Sequence, residues 1–221
     1  MTNWALIPVK QFSHAKTRLS GLLSEGQRAD LAKAMLLDCL RVVTASKHIE
    51  RIALVSSEPQ ISELASTLGA QVIPDIGLGL NAALEHGRSF VRSLGASRIL
   101  VLPADIPCIR KQDIEAVFEQ GLSTRDAVIV PAHDGDGTNA LLIPADEALP
   151  FSYGVGSFSR HREGADTLGI ELLCLSLPAI AADLDTPGDL DRITAIGPGP
   201  ETSMFLRAFS APDVLSLKEV S

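Results

Sequence analysis

The sequence predicts an α/β sandwich built on a mostly parallel sheet, and three observations predict it. Short apolar runs alternate with longer amphipathic segments along most of the chain, the pattern that βαβ units produce. The runs Ile52–Ser56 and Ile99–Leu102 are apolar almost without interruption, as strands buried on both faces must be. Capping residues and glycines punctuate the segments between such runs.

The elements follow in order. Trp4–Val9 reads as a first strand. Ser24 with Gln27 three residues on forms a capping box, and a helix follows to about Ser46. Ile52–Ser56 is the second strand, Ile61–Leu68 a helix that stops at Gly69, and Gln71–Ile73 a short strand. Leu80–Leu94 is helical and ends at Gly95, the C′ position that glycine favours. Ile99–Leu102 is followed by the rigid turn Pro103-Ala104-Asp105-Ile106-Pro107. A helix at Gln112–Gln120 precedes strands at Ala127–Pro131 and Ala140–Ile143. Ser157–Leu168 reads as a helix and Leu172–Leu175 as a strand. Pro187–Ile196 reads as a last helix with Pro at its first position.

The chain has 221 residues, of which 46% are apolar and 21% charged. Residues 1–196 read as one domain, which at this size buries roughly 70% of its unfolded surface without a disulfide or metal staple. Gly197-Pro198-Gly199-Pro200 sets off a tail, 197–221. Its Met204, Phe205, Leu206, Phe209, Leu215 and Leu217 are too apolar for a solvated end. The tail is expected to pack on the domain or on a second copy, which leaves a homodimer open. Cys39, Cys108 and Cys174 form no C-x-x-C pair and read as small buried hydrophobes. With no secretory h-region and no apolar run near the membrane-spanning length of about 18 residues, the expected location is the cytoplasm.

Charge distribution narrows the function. Nineteen basic against 27 acidic side chains give a net charge of −8, which excludes a duplex nucleic-acid binder relying on Lys and Arg. Yet the first 24 residues carry Lys10, Lys16 and Arg18 and no acid. They are +3, and the remainder is −11. In parallel sheets, ligands bind beyond the C-terminal strand ends at the switch point, so polar residues just after strands matter most. The loop Lys10–Arg18 lies there and reads either as a polyphosphate cradle or as a solvated loop. Asp105, held between two prolines at a strand end, suits a magnesium site shared with phosphates, or else a turn or helix cap. Asp183 and Asp185 share one face of an extended segment and would repel unless a cation or solvent intervened. Asp189 and Asp191 read as dipole-complementing surface residues. Gly154, Gly156 and Ser157 open a helix whose free N–H groups suit an anion, with Ser157 as cap or donor; Thr138 and Asn139 add a hydroxyl and an amide.

Other motifs fail on context. Gly77-x-Gly79-x-x-Ala82 does not open the first βα unit, so a nicotinamide site is not expected. The Asp134 and Asp183 segments lack the twelfth-position Glu of a calcium loop. Ser157 and His161 have no G-x-S-x-G around them, and His161 reads as structural.

P-V-K, A-K-T-R-L, L-P-A-D-I-P, G-T-N-A-L, Y-G-x-G-S-F-x-x-H and D-L-D-T-P follow one another in this order, within a stretch from about Pro8 to Asp191. This ordered set resembles the 2-phospho-L-lactate, phosphoenolpyruvate or 3-phosphoglycerate guanylyltransferases of coenzyme F420 biosynthesis. The resemblance implies a three-layer, Rossmann-like nucleotidyltransferase fold of the nucleotide-diphospho-sugar transferase (GT-A-like) type. It implies GTP and a phosphorylated three-carbon acid as substrates and Mg2+ as cofactor. Carried over, Lys10, Lys16 and Arg18 would hold the triphosphate. Ser56, Asn81 and Pro103 would line the nucleotide site. Asp105, Asp183 and Asp185 would bind the metal, and Thr138, Gly154 and Ser157 the acid. The alternatives are a nucleotidyltransferase of the same fold acting on a sugar acid or pterin cofactor, and a catalytically silent nucleotide-binding protein.

Overall fold

The structure, a computed structural model, describes residues 2–121, 127–146 and 149–210. Strand β1 (Asn3–Val9) leads through two 3-10 turns, Phe12–His14 and Thr17–Leu19, into helix α1 (Glu25–Thr44). The chain continues through β2 (Arg51–Ser56), α2 (Ile61–Leu68), β3 (Gln71–Pro74), α3 (Leu80–Ser93), β4 (Arg98–Val101) and α4 (Lys111–Gln120). The second half contains β5 (Ala127–Pro131), β6 (Thr138–Pro144), α5 (Ser157–Leu168), β7 (Leu172–Cys174), α6 (Pro178–Ala181), α7 (Asp189–Ile196) and α8 (Pro200–Ser210).

All seven strands join one sheet in the order β3-β2-β1-β4-β6-β5-β7. β1 pairs in parallel with β2 and β4, and β2 with β3. β6 runs antiparallel to both β4 and β5, while β5 is parallel to β7. The chain crosses from β1 to β2 on one side and later places β4 on the other. The C-terminal ends of β1 and β4 therefore flank the switch point of the sheet.

Alternation along β1 explains the layers. Ala5, Ile7 and Val9 point into a core shared with α1, α2 and α4, through residues such as Leu36, Ile61 and Ile114. Trp4 and Leu6 point to the opposite face, against Leu84 and Val91 of α3 and Ala165 of α5. α3 packs so closely on the sheet that a Cβ at Gly87 would stand 2.9 Å from Leu6 Cδ1. Glycine in mid-helix costs roughly 1 kcal/mol against alanine, and here it permits that approach. The capping box at α1 is complete: Ser24 Oγ accepts from Gln27 N at 3.3 Å, and Ser24 N donates to Gln27 Oε1 at 2.8 Å.

Two expectations change, and the described part of the tail takes one of the two packings left open. The last predicted helix starts at Asp189, not Pro187, because Thr186–Asp189 forms a turn of its own, with Asp189 N donating to Thr186 O at 3.1 Å. Cys174 is exposed, since β7 closes the sheet at its edge. Pro200–Ser210 of the tail is a helix packed on this same domain: Phe205, Leu206 and Phe209 join the cluster around Leu31 and Met35 of α1. Buried Asp38 caps it, accepting from Glu201 N at 3.0 Å and Thr202 N at 2.8 Å. Leu215 and Leu217 lie outside the described residues. Among the described residues, no helix is long and apolar enough to cross a membrane.

Candidate active site

At the switch point lies an open cavity of about 430 Å³, lined by Lys10, Lys16 and Arg18 after β1, Pro103 and Asp105 after β4, and Asp185. Three separate stretches of sequence meet there, and the backbone fixes them. Leu102 N donates to Leu6 O at 3.2 Å, extending the β1–β4 ladder, and Leu184 N donates to Asp105 O at 3.2 Å. The second bond pins the 183–185 segment beside the turn that carries Asp105.

Lys16 is the centre of this arrangement. Its Nζ lies 2.7 Å from Asp105 Oδ2 and 2.6 Å from Asp185 Oδ1, with only 6% of its side chain exposed. Burial opposes the charged ammonium, but the two carboxylates outweigh it and hold the pKa above the ordinary lysine value. Burial likewise pushes the Asp105 carboxyl up, and the Lys16 ammonium overrides this, leaving it below the usual carboxylate value. Lys16 also has φ 53°, the sole positive φ at a non-glycine among the described residues. Such a conformation costs energy and persists where its surroundings enforce it, often at functional sites. Lys10 and Arg18 are exposed at the mouth.

Asp183 stands apart from that pair. Its Oδ1 accepts from Asn139 Nδ2 at 3.2 Å and lies 3.7 Å from His133 Nδ1. Burial and the neighbouring Asp105 charge raise its pKa. Among the described residues, no three His, Cys, Asp or Glu side chains gather as a metal-holding group; Asp105 and Asp185 share an ammonium instead. Asp189 is not a surface residue. It is buried, and its Oδ2 accepts from Asp185 N, Thr186 N and Thr186 Oγ1 at 3.1, 2.7 and 2.9 Å. It thereby sets the backbone of Asp185. The signal was present as Thr186-x-x-Asp189, the capping-box spacing.

The other predicted residues occupy a different environment. Thr138, Ser157 and His161 are buried together. Ser157 Oγ donates to Thr138 Oγ1 at 3.2 Å, and Thr138 Oγ1 lies 3.1 Å from His161 Nδ1. Ser152 N donates to His161 Nε2 at 3.0 Å, so the neutral ring carries its proton on Nδ1. Burial, reinforced by the Arg160 charge, pulls the His161 pKa down to about 4. The N-terminus of α5 has no free N–H groups at Gly156, Ser157 or Phe158. They donate to Asp136 Oδ2, Gly154 O and Asp136 O at 2.8, 3.1 and 3.0 Å. An internal carboxylate thus occupies the expected anion position, and the helix cap is Gly156 with φ 69°, not Ser157. Gly154 itself is exposed.

Asn81 clamps the same loop, its Oδ1 accepting from Tyr153 N at 2.7 Å and its Nδ2 donating to Tyr153 O at 3.1 Å. Ser56 is buried, donating to Val9 O at 2.7 Å and accepting from Glu58 N at 2.9 Å, which joins the ends of β1 and β2. Cys39, buried as the sequence predicts, lies behind the site with Sγ 3.9 Å from Pro103 O.

A family model described as "Guanylyl transferase CofC like" matches residues 3–215. The phosphoenolpyruvate guanylyltransferase of Rubrobacter xylanophilus is 42% identical over 199 residues, which cover 89% of this chain and 96% of that protein. The 2-phospho-L-lactate guanylyltransferase of Methanothermobacter thermautotrophicus is 34% identical over 208 residues, covering 94% and 91%. Two solved structures share the fold. One, a proposed nucleotide-diphospho-sugar transferase from Desulfovibrio desulfuricans G20, has a TM-score of 0.76 at 18% identity over 96% of each chain. The other, 4-diphosphocytidyl-2C-methyl-D-erythritol synthase, has a TM-score of 0.63 at 16% identity, covering 88% of this chain and 98% of its own.

Proposed function

The chain belongs to the CofC-like guanylyl transferase family, and from that premise we propose that it transfers GMP from GTP to a phosphorylated three-carbon acid. The acceptor would be phosphoenolpyruvate, 2-phospho-L-lactate or 3-phospho-D-glycerate, on the route to coenzyme F420. An oxygen of the acceptor phosphate attacks the α-phosphorus, the bond to the bridging α–β oxygen breaks, and pyrophosphate leaves. The observation that carries this reading is the cavity at the switch point, where Lys10, Lys16 and Arg18 meet Asp105 and Asp185. Basic groups there would hold the triphosphate and the departing pyrophosphate, with Ser56, Asn81 and Pro103 along the nucleoside side. Thr138 and Ser157 would act on the acid through the loop they hold, and Gly154 directly.

The nucleophile is already an anion, so a strong base is not required. The main barrier is the approach of two anions, and fixed positive charge lowers it. The acidic residues fit Mg2+, because Asp105 and Asp185 already enclose one positive charge between them; Asp183 would complete the set. When bound, the metal would neutralise developing charge on the phosphate oxygens. We place the enzyme in the cytoplasm. Burial pushes the Cys39 and Cys108 thiols up to about 12 and about 11, so neither forms a thiolate at neutral pH.

The test is incubation with GTP, Mg2+ and the three acids in competition, followed by mass spectrometry and pyrophosphate assay. The expected result is one pyrophosphate per GMP–acid phosphoanhydride formed. GTP binding without pyrophosphate release with any acid would favour a silent nucleotide-binding protein. Turnover with CTP or a sugar acid would favour the other acceptor class.

A further inference from the structure

Lys16 cannot serve the triphosphate while its ammonium sits between two carboxylates. Asp105 and Asp185 hold it at 2.7 and 2.6 Å, and its side chain is nearly sealed from solvent. The two acids come from different loops, and the Leu184–Asp105 backbone bond joins those loops without involving the lysine. The lysine reaches it from a left-handed backbone conformation between two short 3-10 turns. A segment of that kind can change its φ and ψ without dismantling a helix or strand. Asp189 separately holds the 185–186 backbone, accepting from Asp185 N, Thr186 N and Thr186 Oγ1, so that segment does not depend on the lysine for its position.

We propose that Lys16 is a built-in placeholder cation: it neutralises Asp105 and Asp185 in the unliganded protein and is exchanged out of that position by the divalent metal. This rests on the guanylyltransferase reading for the metal and for the destination of the released ammonium, the phosphates of the nucleotide. The exchange couples two binding events. Metal alone must displace a buried ion pair and binds weakly. Metal arriving with nucleotide gives the displaced ammonium a new anionic partner, so each ligand strengthens the other by the same factor. Before binding, the placeholder also prevents the close carboxylates from repelling each other.

Binding of Mn2+ to the nucleotide-free protein tests the exchange. Lys16→Met, of similar length and uncharged, should bind Mn2+ about tenfold more tightly than wild type, since one competing cation is gone. It should melt earlier without metal and regain more of its melting temperature when Mn2+ is added. Lys47→Met, which removes an exposed cation away from the cavity, should leave Mn2+ affinity within about twofold. Equal or weaker Mn2+ binding by Lys16→Met would overturn the proposal. Should that variant fail to fold, the wild-type protein provides the second measurement. Acetylation of lysines read by mass spectrometry should find Lys16 protected without metal and several-fold more reactive at saturating Mg2+, relative to exposed Lys47. Unchanged Lys16 labelling under Mg2+ would count equally against it. Neither measurement uses GTP, so a failed exchange is distinguishable from a failed transferase reading.

Discussion

Two regions of this molecule contain the polar residues that the sequence singles out, and they are built in opposite ways. Around the ends of β1 and β4, Lys10 and Arg18 face an open cavity, and Lys16 is balanced between two acids from distant loops. Around the start of α5, the side chains of Thr138, Ser157 and His161 are buried and bonded to one another, and Asp136 fills the helix terminus. The first region keeps charge available for ligands, and the second consumes its polarity internally to hold a loop in shape. Substitutions should therefore cost function in the first and stability in the second.

The largest effect is expected at Asp105. Asp105→Asn keeps the shape and leaves Lys16 one carboxylate partner, but removes the charge at the reacting centre. Turnover at saturating GTP, followed by pyrophosphate release, should fall on the order of a thousandfold, while the urea midpoint moves little. Near-wild-type turnover would remove Asp105 from the chemistry.

The second region should answer in reverse. His161→Ala leaves a cavity and strips the Ser152 N–H of its acceptor, at a cost of about 3 kcal/mol in urea unfolding. Because the loop it holds is assigned to the acid, KM for the acceptor should rise more than KM for GTP. An equal rise in both would dissolve the division between the regions. The same residue sets a pH dependence. Its folded pKa of about 4 lies below the unfolded value of about 6.5, so between these values the unfolded chain binds more protons. Stability from this source is complete above about pH 6.5 and declines as pH falls towards 4, by roughly 3 kcal/mol at most. Urea midpoints of wild type and His161→Gln should converge as pH falls across that window; parallel curves would show that folding leaves the His161 pKa where it is in the unfolded chain.

The contrast also explains what could be read in the sequence. Ile52–Ser56 and the Ser24–Gln27 capping box are local patterns, and the structure contains both where they were expected. The direction of β6 was illegible, because an apolar run has the same period whichever way it points. Helix Pro200–Ser210 was hidden because its capping carboxylate, Asp38, lies more than 160 residues away. In the site, charge made Lys10, Lys16, Arg18, Asp105 and Asp185 conspicuous, and the fold brings all five to one cavity. Asp189 looked like a surface acid because its carboxylate accepts from backbone N–H groups, which sequence does not display. Ser157 looked like a helix cap because glycine at Gly156 with positive φ leaves no local trace of taking that place.

The smallest effect on stability is expected at Lys10, and it sharpens the comparison most directly. Lys10 is exposed and makes no hydrogen bond or ion pair among the described residues. Lys10→Met should therefore change unfolding free energy by no more than about 0.5 kcal/mol, the usual range for such surface positions. If the loop exists to meet phosphate, KM for GTP should nevertheless rise about tenfold, equivalent to about 1.4 kcal/mol of lost interaction, with KM for the acid nearly unchanged. Added salt should reduce the difference between the two proteins, since an exposed charge acts through a screened field. A Lys10→Met protein that loses stability but keeps its KM for GTP would mean that the basic loop, like the start of α5, is there to hold the chain together.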